Sequence, residues 1–406
     1  MPPGPARLVA RFPRMRRAAG PGPERQAERT GRAARVLQAA FGGPAAAVGC
    51  APGRVTLIGD HVDYVGGRIA CMAVDLALAV AVRPSVDGQW RVASGGRQVE
   101  RLRPSMAGDI GDRVFAAAVA LQRLGLPVPP VEAGVDGDLP AAAGLSSSAA
   151  VVTGTVVALL RLLDRRLEAE AVVAASLSAE RDIVGVPCGE LDQRAIVHSR
   201  AGSVLILDCA RASWRRLPWP WPGIGVLVAA SGESHDVGGA EYRQRRDAAA
   251  AVCASLGAGS CQEIGDRWRE LPAELQPRGR HIATETRRSD AAAAALEAAD
   301  AAELGRLMDE SHQSLRQDCE VSTSRLDAMV HAVRAVRGCF GARLTGAGFG
   351  GSIIALVERS AAARCAAAVA RVGSPAPRAW LLAPADGLEV SAADVVIAAS
   401  DPGTVG

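Results

Sequence analysis

Lysine and asparagine are absent from this 406-residue chain, so every one of its 46 basic residues is arginine. The missing lysine removes two kinds of phosphoryl-transfer protein at once. A Walker-type nucleotide site needs a lysine on the phosphates, and a protein kinase needs one on its third strand. The cations are balanced by 43 acidic residues for a net charge of +3, so no one-signed field points to nucleic acid as a partner. Nine cysteines (Cys50, Cys71, Cys188, Cys209, Cys253, Cys261, Cys319, Cys339, Cys365) form no Cys-x-x-Cys pair, and six histidines show no His-x-x-x-His spacing. Zinc therefore has no support. An odd, scattered set of thiols reads as reduced and mostly buried, which fits a cytoplasmic setting. The longest apolar runs, 69–82 and 149–163, are shorter than a membrane span and carry Asp75 and Thr153 with Thr155. Membrane insertion is not expected, and no internal repeat is present.

The apolar content of 49% is enough at this length for two domains with a core each. Residues 1–35, rich in Arg and Pro, have no apolar segment of signal-peptide length and are expected to be a disordered extension, although a transit peptide fits the charge bias as well. An N-terminal domain is expected over 36–213. A Trp/Pro-rich linker follows over 214–222, and then a C-terminal domain over 223–406. Strand-like runs at 53–59, 73–83, 131–135, 203–208, 224–230, 342–357 and 379–382 alternate with helical patterns at 113–124, 149–166, 168–184, 240–256, 291–315, 324–336 and 361–372. The fold class is α+β, in two layers, twice.

The chain is organised around 139–150, Leu-Pro-Ala-Ala-Ala-Gly-Leu-Ser-Ser-Ser-Ala-Ala. Small residues run into a serine cluster and then into an apolar helix, so Gly144, Leu145, Ser146, Ser147 and Ser148 can bring unpaired amides close to a polyphosphate. A plain Gly-Ser turn with a serine cap explains the same letters. Other clusters have two readings as well. Arg54, Asp60, His61 and Asp63 could hold sugar hydroxyls or be a solvated turn. Glu180 and Asp192, parted by a Gly/Pro turn, could divide metal binding from proton handling, or be a surface acid and a cap. The 346–351 glycine turn lacks the context of a dinucleotide fingerprint. Ser231–His235 ends a strand, and Tyr242, one of two tyrosines, opens a helix; packing is its default role.

In this order, these stretches resemble the GHMP small-molecule kinases from about Phe41 onward. Residues 51–67, 186–193 and 311–322 are similar to the galactose-phosphorylating branch in particular. The resemblance implies a two-domain fold, an N-terminal mixed-sheet domain and a C-terminal ferredoxin-like domain, with the active site between them. It also implies ATP as co-substrate, Mg²⁺ on Ser148 and Glu180, and nucleotide phosphates on residues 144–148. Asp192 and Arg54 would be catalytic, with Asp60, His61, Asp63 and Tyr242 on the sugar. The expected reaction is phosphorylation of the C1 hydroxyl of galactose by a monomer. Asp60 departs from the Glu usual in that branch, which leaves N-acetylgalactosamine, L-arabinose and galacturonic acid as alternative sugars. Thr56, Val65 and Cys319 also depart from the usual Asn, Asn and Tyr. A silent sugar-binding regulator is the reading from another class, against which the intact serine loop argues.

Overall fold

The computed structural model describes residues 23–141, 143–233 and 239–388. Its first half runs α1 (Pro23–Phe41), β1 (Ala47–Ile58), β2 (Arg68–Pro84), β3 (Trp90–Ser94), β4 (Arg97–Arg101), α2 (Asp112–Arg123), β5 (Val131–Gly137), α3 (Ser147–Leu162), α4 (Ala169–Ser178), α5 (Leu191–His198), β6 (Ser203–Asp208) and β7 (Ser213–Pro218). The second half runs β8 (Ile224–Ala230), α6 (Ala240–Ser255), α7 (Gln276–Glu297), α8 (Ala301–Gln317), α9 (Ser324–Arg334), β9 (Cys339–Thr345), β10 (Ser352–Glu358), α10 (Ala362–Val369) and β11 (Arg378–Leu382).

Seven strands form a mixed sheet ordered β4-β3-β5-β2-β6-β7, with β1 along the other edge of the long strand β2. Only the β3–β5 pair is parallel. The second sheet, β11-β8-β10-β9, is antiparallel throughout, the strand order of a ferredoxin-like layer. Helix α3 is apolar on nearly every side because it is buried between sheet and helices. It lies so close to β1 that a methyl on Gly49 would meet the Gly154 carbonyl oxygen at 2.0 Å, which only a glycine avoids. One continuous core joins the two sheets, with Leu57 and Met72 of the first in the same cluster as Val226 and Ile354 of the second.

Three expectations need correction. The Arg/Pro-rich start is ordered from Pro23, as α1, with a proline opening the helix. Ala33 and Leu37, one turn apart, are fully buried, and Arg29 forms ion pairs with Asp75 and Asp138. Average composition hid that spacing; residues 1–22 lie outside the described residues. The linker expected over 214–222 is for the most part β7, which pairs with β6 from Ser203↔Pro218 to Asp208↔Ser213. Pro218 is tolerated because it closes an edge strand, where no neighbour needs its N–H. The helix expected over 291–315 is two, α7 and α8. Ala299 takes a left-handed φ of 53°, and the Asp300 side chain accepts from the Glu303 amide to restart the helix.

Candidate active site

Strand β1 ends at Ile58, and the turn after it places Asp60, His61, Asp63 and Tyr64 on one wall of a cleft of about 360 Å³. The β5–α3 loop supplies Gly144 and Ser146 and the first turn of α3 supplies Ser147 and Ser148, while Asp192 comes from the first turn of α5 and Tyr242 from α6. The β9–β10 turn, from Thr345 to Gly351, closes the cleft from the second sheet. Eleven of the twelve candidate site residues read from the sequence therefore line one cleft. Leu145, the exception, turns its side chain into the core and offers only backbone: its carbonyl accepts from the Arg54 amide at 3.2 Å. Ser234 and His235 lie outside the described residues.

Arg54 ties the cleft together. Its Nε and Nη2 both reach Oδ1 of Asp192, at 2.7 and 2.6 Å, and its Nη1 donates to the Gly144 carbonyl at 2.8 Å. Among the described residues nothing hydrogen-bonds Oδ2 of Asp192, so one carboxylate oxygen is clamped and the other is uncommitted. The loop is braced from behind. Ser352 Oγ donates to the Ala143 carbonyl at 2.6 Å, and Thr345 Oγ1 exchanges hydrogen bonds with the Thr56 backbone. Ser146 adopts a left-handed φ of 62°, turning the chain into α3, whose first two residues line the cleft and whose opening amides have no partner within the helix.

Glu180 sits in a π-helical turn, Ala179–Val184, that continues α4. A π-turn shifts side-chain direction relative to an α-helix, and here it carries Glu180 inward. Ser148 Oγ donates to Glu180 Oε1 at 2.5 Å, and Gln193 Nε2 donates to Oε2 at 2.5 Å. Burial pushes the Glu180 carboxyl up to about 7. A hydroxyl and a carboxylate in contact fit Mg²⁺, which takes one or two protein oxygens and completes its shell with water and substrate phosphate. Among the described residues no three His, Cys, Asp or Glu side chains converge into a closed metal cage.

On the opposite wall, His61 Nε2 lies 3.0 Å from the Ala347 carbonyl and Nδ1 lies 3.0 Å from the Tyr64 hydroxyl. Burial holds the imidazole far down, at about 3, so the ring is neutral. A carbonyl can only accept, so Nε2 carries the proton and Tyr64 donates to Nδ1. Both ring nitrogens are thus used within the protein, and the ring links the β1 turn to the glycine turn. Asp60 is buried with Oδ2 against Arg343 Nη2 at 2.5 Å and the Gly346 amide at 3.3 Å. Arg343, fully buried, also approaches Glu285 at 3.6 Å. Burial alone would raise Glu285, but Arg288 and Arg343 overcome it and hold the carboxyl at about 2.

Asp63 keeps some solvent access through the cleft yet is ringed by protein, close enough to Gly189 that a methyl there would meet Oδ2 at 1.9 Å. Burial, with the charges of Asp192 and Asp60 nearby, raises its carboxyl to about 7 from an ordinary 3.8. Between these values the folded ligand-free protein holds a proton that the unfolded chain has released. The group's contribution to stability is full below pH 3.8 and is lost as pH rises through 7. The thermal midpoint of the ligand-free protein is expected to fall from pH 5 to pH 8, and Asp63→Asn to flatten that fall; equal slopes in the two proteins would refute the assignment.

Sequence reasoning missed Arg113, Tyr64 and the Arg343–Glu285 pair. Tyr64 packs edge-on to both His61 and Tyr242, and Tyr242 lies tilted on His61, at ring distances near 6 Å; a tyrosine in a turn carries no signal of that. Arg343 sits in the otherwise apolar end of β9, where a lone arginine is itself a sign that a buried acid waits across the layer.

Comparison with known proteins settles the class first. Residues 112–200 match the family model for the GHMP kinase N-terminal domain and residues 292–374 that for the GHMP kinase C-terminal domain, so both halves are those of a small-molecule kinase. Residues 37–84 match the galactokinase galactose-binding signature, the segment that carries Arg54, Asp60, His61 and Asp63. The chain belongs to the galactokinase family of GHMP kinases. It is 37% identical over 76% of its length to a galactokinase of Roseiflexus, of which it covers 83%, and 34% identical over 83% of its length to the human galactokinase, of which it covers 90%. The galactokinase of Lactococcus lactis, solved with galactose, superposes with a TM-score of 0.81 at 25% identity, covering 87% of this chain and 98% of that one. A mevalonate kinase of Methanococcus jannaschii shares the fold at a TM-score of 0.63 and 18% identity, over 84% and 98% of the two chains.

Proposed function

We propose that the cleft transfers the γ-phosphoryl group of ATP to the C1 hydroxyl of galactose, yielding galactose 1-phosphate and ADP. The observation that carries this reading is the Arg54 bridge, which holds the Asp192 carboxylate with two nitrogens and the phosphate-loop carbonyl of Gly144 with a third. An alcohol bound at Asp192 and a triphosphate bound at residues 144–148 are thereby held in one register, and such positioning is the main demand of phosphoryl transfer.

The sugar hydroxyl hydrogen-bonds the uncommitted Oδ2 of Asp192 and passes its proton there as its oxygen bonds to the γ-phosphorus. The bond from that phosphorus to the bridging oxygen breaks, and ADP leaves with the electron pair. Arg54 stabilises the charge gathered on both sides of the transfer. Bound at Ser148 and Glu180, Mg²⁺ would supply charge neutralisation to the phosphate oxygens. Asp60, Asp63 and Tyr242 take the remaining sugar hydroxyls, while His61 keeps the wall in shape. We take the acting unit to be a monomer, which size-exclusion chromatography with light scattering would test. No helix among the described residues is long and apolar enough to cross a membrane, and no two cysteines are joined in a disulfide.

The test is ADP release from Mg²⁺-ATP across galactose, N-acetylgalactosamine, L-arabinose, galacturonic acid and glucose. Turnover strongest on galactose is expected. Preference for a sugar altered or lacking at C6 would make Asp60, with Oδ2 already committed to Arg343, the determinant of a different substrate. Silence on all five would overturn the kinase reading in favour of a sugar-binding regulator.

A further inference from the structure

Two arginines line the cleft, and they stand in opposite situations. Arg54 is fully committed, to Asp192 and Gly144. Arg113, half-buried in the first turn of α2, makes one hydrogen bond among the described residues, from Nε to Ser148 Oγ at 3.0 Å, and no ion pair. The acid of this corner, Glu180, bonds Ser148 and Gln193 instead.

That placement is unfavourable for a structural cation. The start of a helix carries partial positive charge, so a cation in the first turn of α2 is repelled by its own backbone. It also reaches Ser148, in the first turn of α3, a second positive helix end. A surface arginine would turn to water, and a structural one would pair with a carboxylate. Arg113 lies near enough to Glu180 for its charge to favour that carboxylate, yet makes no ion pair with it, and neither Nη group is hydrogen-bonded among the described residues. The arrangement becomes favourable once an anion enters between the two helix ends. The demand for such a cation is set by the chemistry: a triphosphate carries several negative charges into this corner, and the chain has no lysine to meet them.

We propose that Arg113 is the phosphate-binding cation of the nucleotide site, donating from its guanidinium to a phosphate oxygen of ATP beside Ser148. This rests on the kinase reading above and deepens it by naming a residue outside the loop and outside the sugar signature. Its bond to Ser148 Oγ aims the guanidinium while the site waits for ligand. Because Ser148 Oγ gives its own proton to Glu180, the hydroxyl accepts from Arg113 without losing that bond.

Inorganic tripolyphosphate separates phosphate recognition from the rest of the nucleotide. Calorimetric titration of the full chain in EDTA with tripolyphosphate, ATP, adenosine and galactose is the measurement, on wild type, Arg113→Gln and Arg113→Lys. The glutamine variant is expected to bind tripolyphosphate and ATP roughly 10–100-fold more weakly, the loss of a charge-assisted hydrogen bond. Adenosine and galactose affinities should be unchanged. Lysine should restore part of the loss, since it keeps the charge but not the planar fork. Equal tripolyphosphate affinity in wild type and Arg113→Gln would overturn the assignment, as would an equal loss of galactose affinity, which would mean general distortion. Failure of the wild type itself to bind ATP or tripolyphosphate would sink the kinase reading, and Arg113 with it, a result visible before any variant is made.

Discussion

Asp192→Asn is expected to lower turnover on galactose by roughly 10²–10⁴-fold, the range for losing a positioned proton acceptor, while galactose affinity and thermal midpoint stay close to wild type. Asparagine is the informative replacement because its Oδ1 still accepts from Arg54, so the bridge to Gly144 survives and only the anionic oxygen is lost. Alanine would also strand a buried guanidinium and confound chemistry with folding. Single-turnover kinetics with saturating ATP would read the chemical step directly. Near wild-type turnover would show that Asp192 neither takes the proton nor stabilises charge, and the mechanism given for the cleft would fail.

Arg343→Met is expected to have the largest effect on stability, about 3–5 kcal/mol, because it leaves two buried carboxylates facing each other without the cation between them. Arg343 and Glu285 are fully buried and Asp60 nearly so. Methionine fills a similar volume, so the loss is electrostatic rather than a cavity. Urea unfolding would report it as a lower midpoint, and Arg343→Met with Asp60→Asn should recover part of the loss by removing one stranded charge. A midpoint within error of wild type would mean that Glu285 and Asp60 are satisfied by Arg288, Ser311 and the Gly59 and Gly346 amides without Arg343. Arg343 would then have no structural claim on the sugar wall.

The sequence exposes this site well where function demands unusual local chemistry. A glycine–serine run entering an apolar helix and a glycine turn between two strands are rare enough in register to be seen, and the fold follows from the same motifs. Arg54 and Asp192 lie 138 positions apart, yet each stands in a motif of its own and both are legible. Arg113 is not, because its meaning lies in what it fails to pair with, and that is a property of space. Glu180 reads as an exposed helix residue by periodicity; the π-turn that buries it breaks that periodicity. Asp60 is visible as a departure, but its partner is not: the contact with a buried arginine of the far layer joins residues 283 positions apart.

Helix α1 has a practical consequence for anyone shortening this chain. Its arginines look like the dispensable decoration of a basic leader, and a cut at residue 36 would appear safe on composition. Such a cut would strip the covering from β2 and β5, expose Ala77, Ala79 and Ala81 along a strand face, and leave Asp75 and Asp138 without the guanidinium between them. Bare apolar strand surface is an invitation to self-association. Any shortening of this chain has to keep Pro23–Phe41 whole.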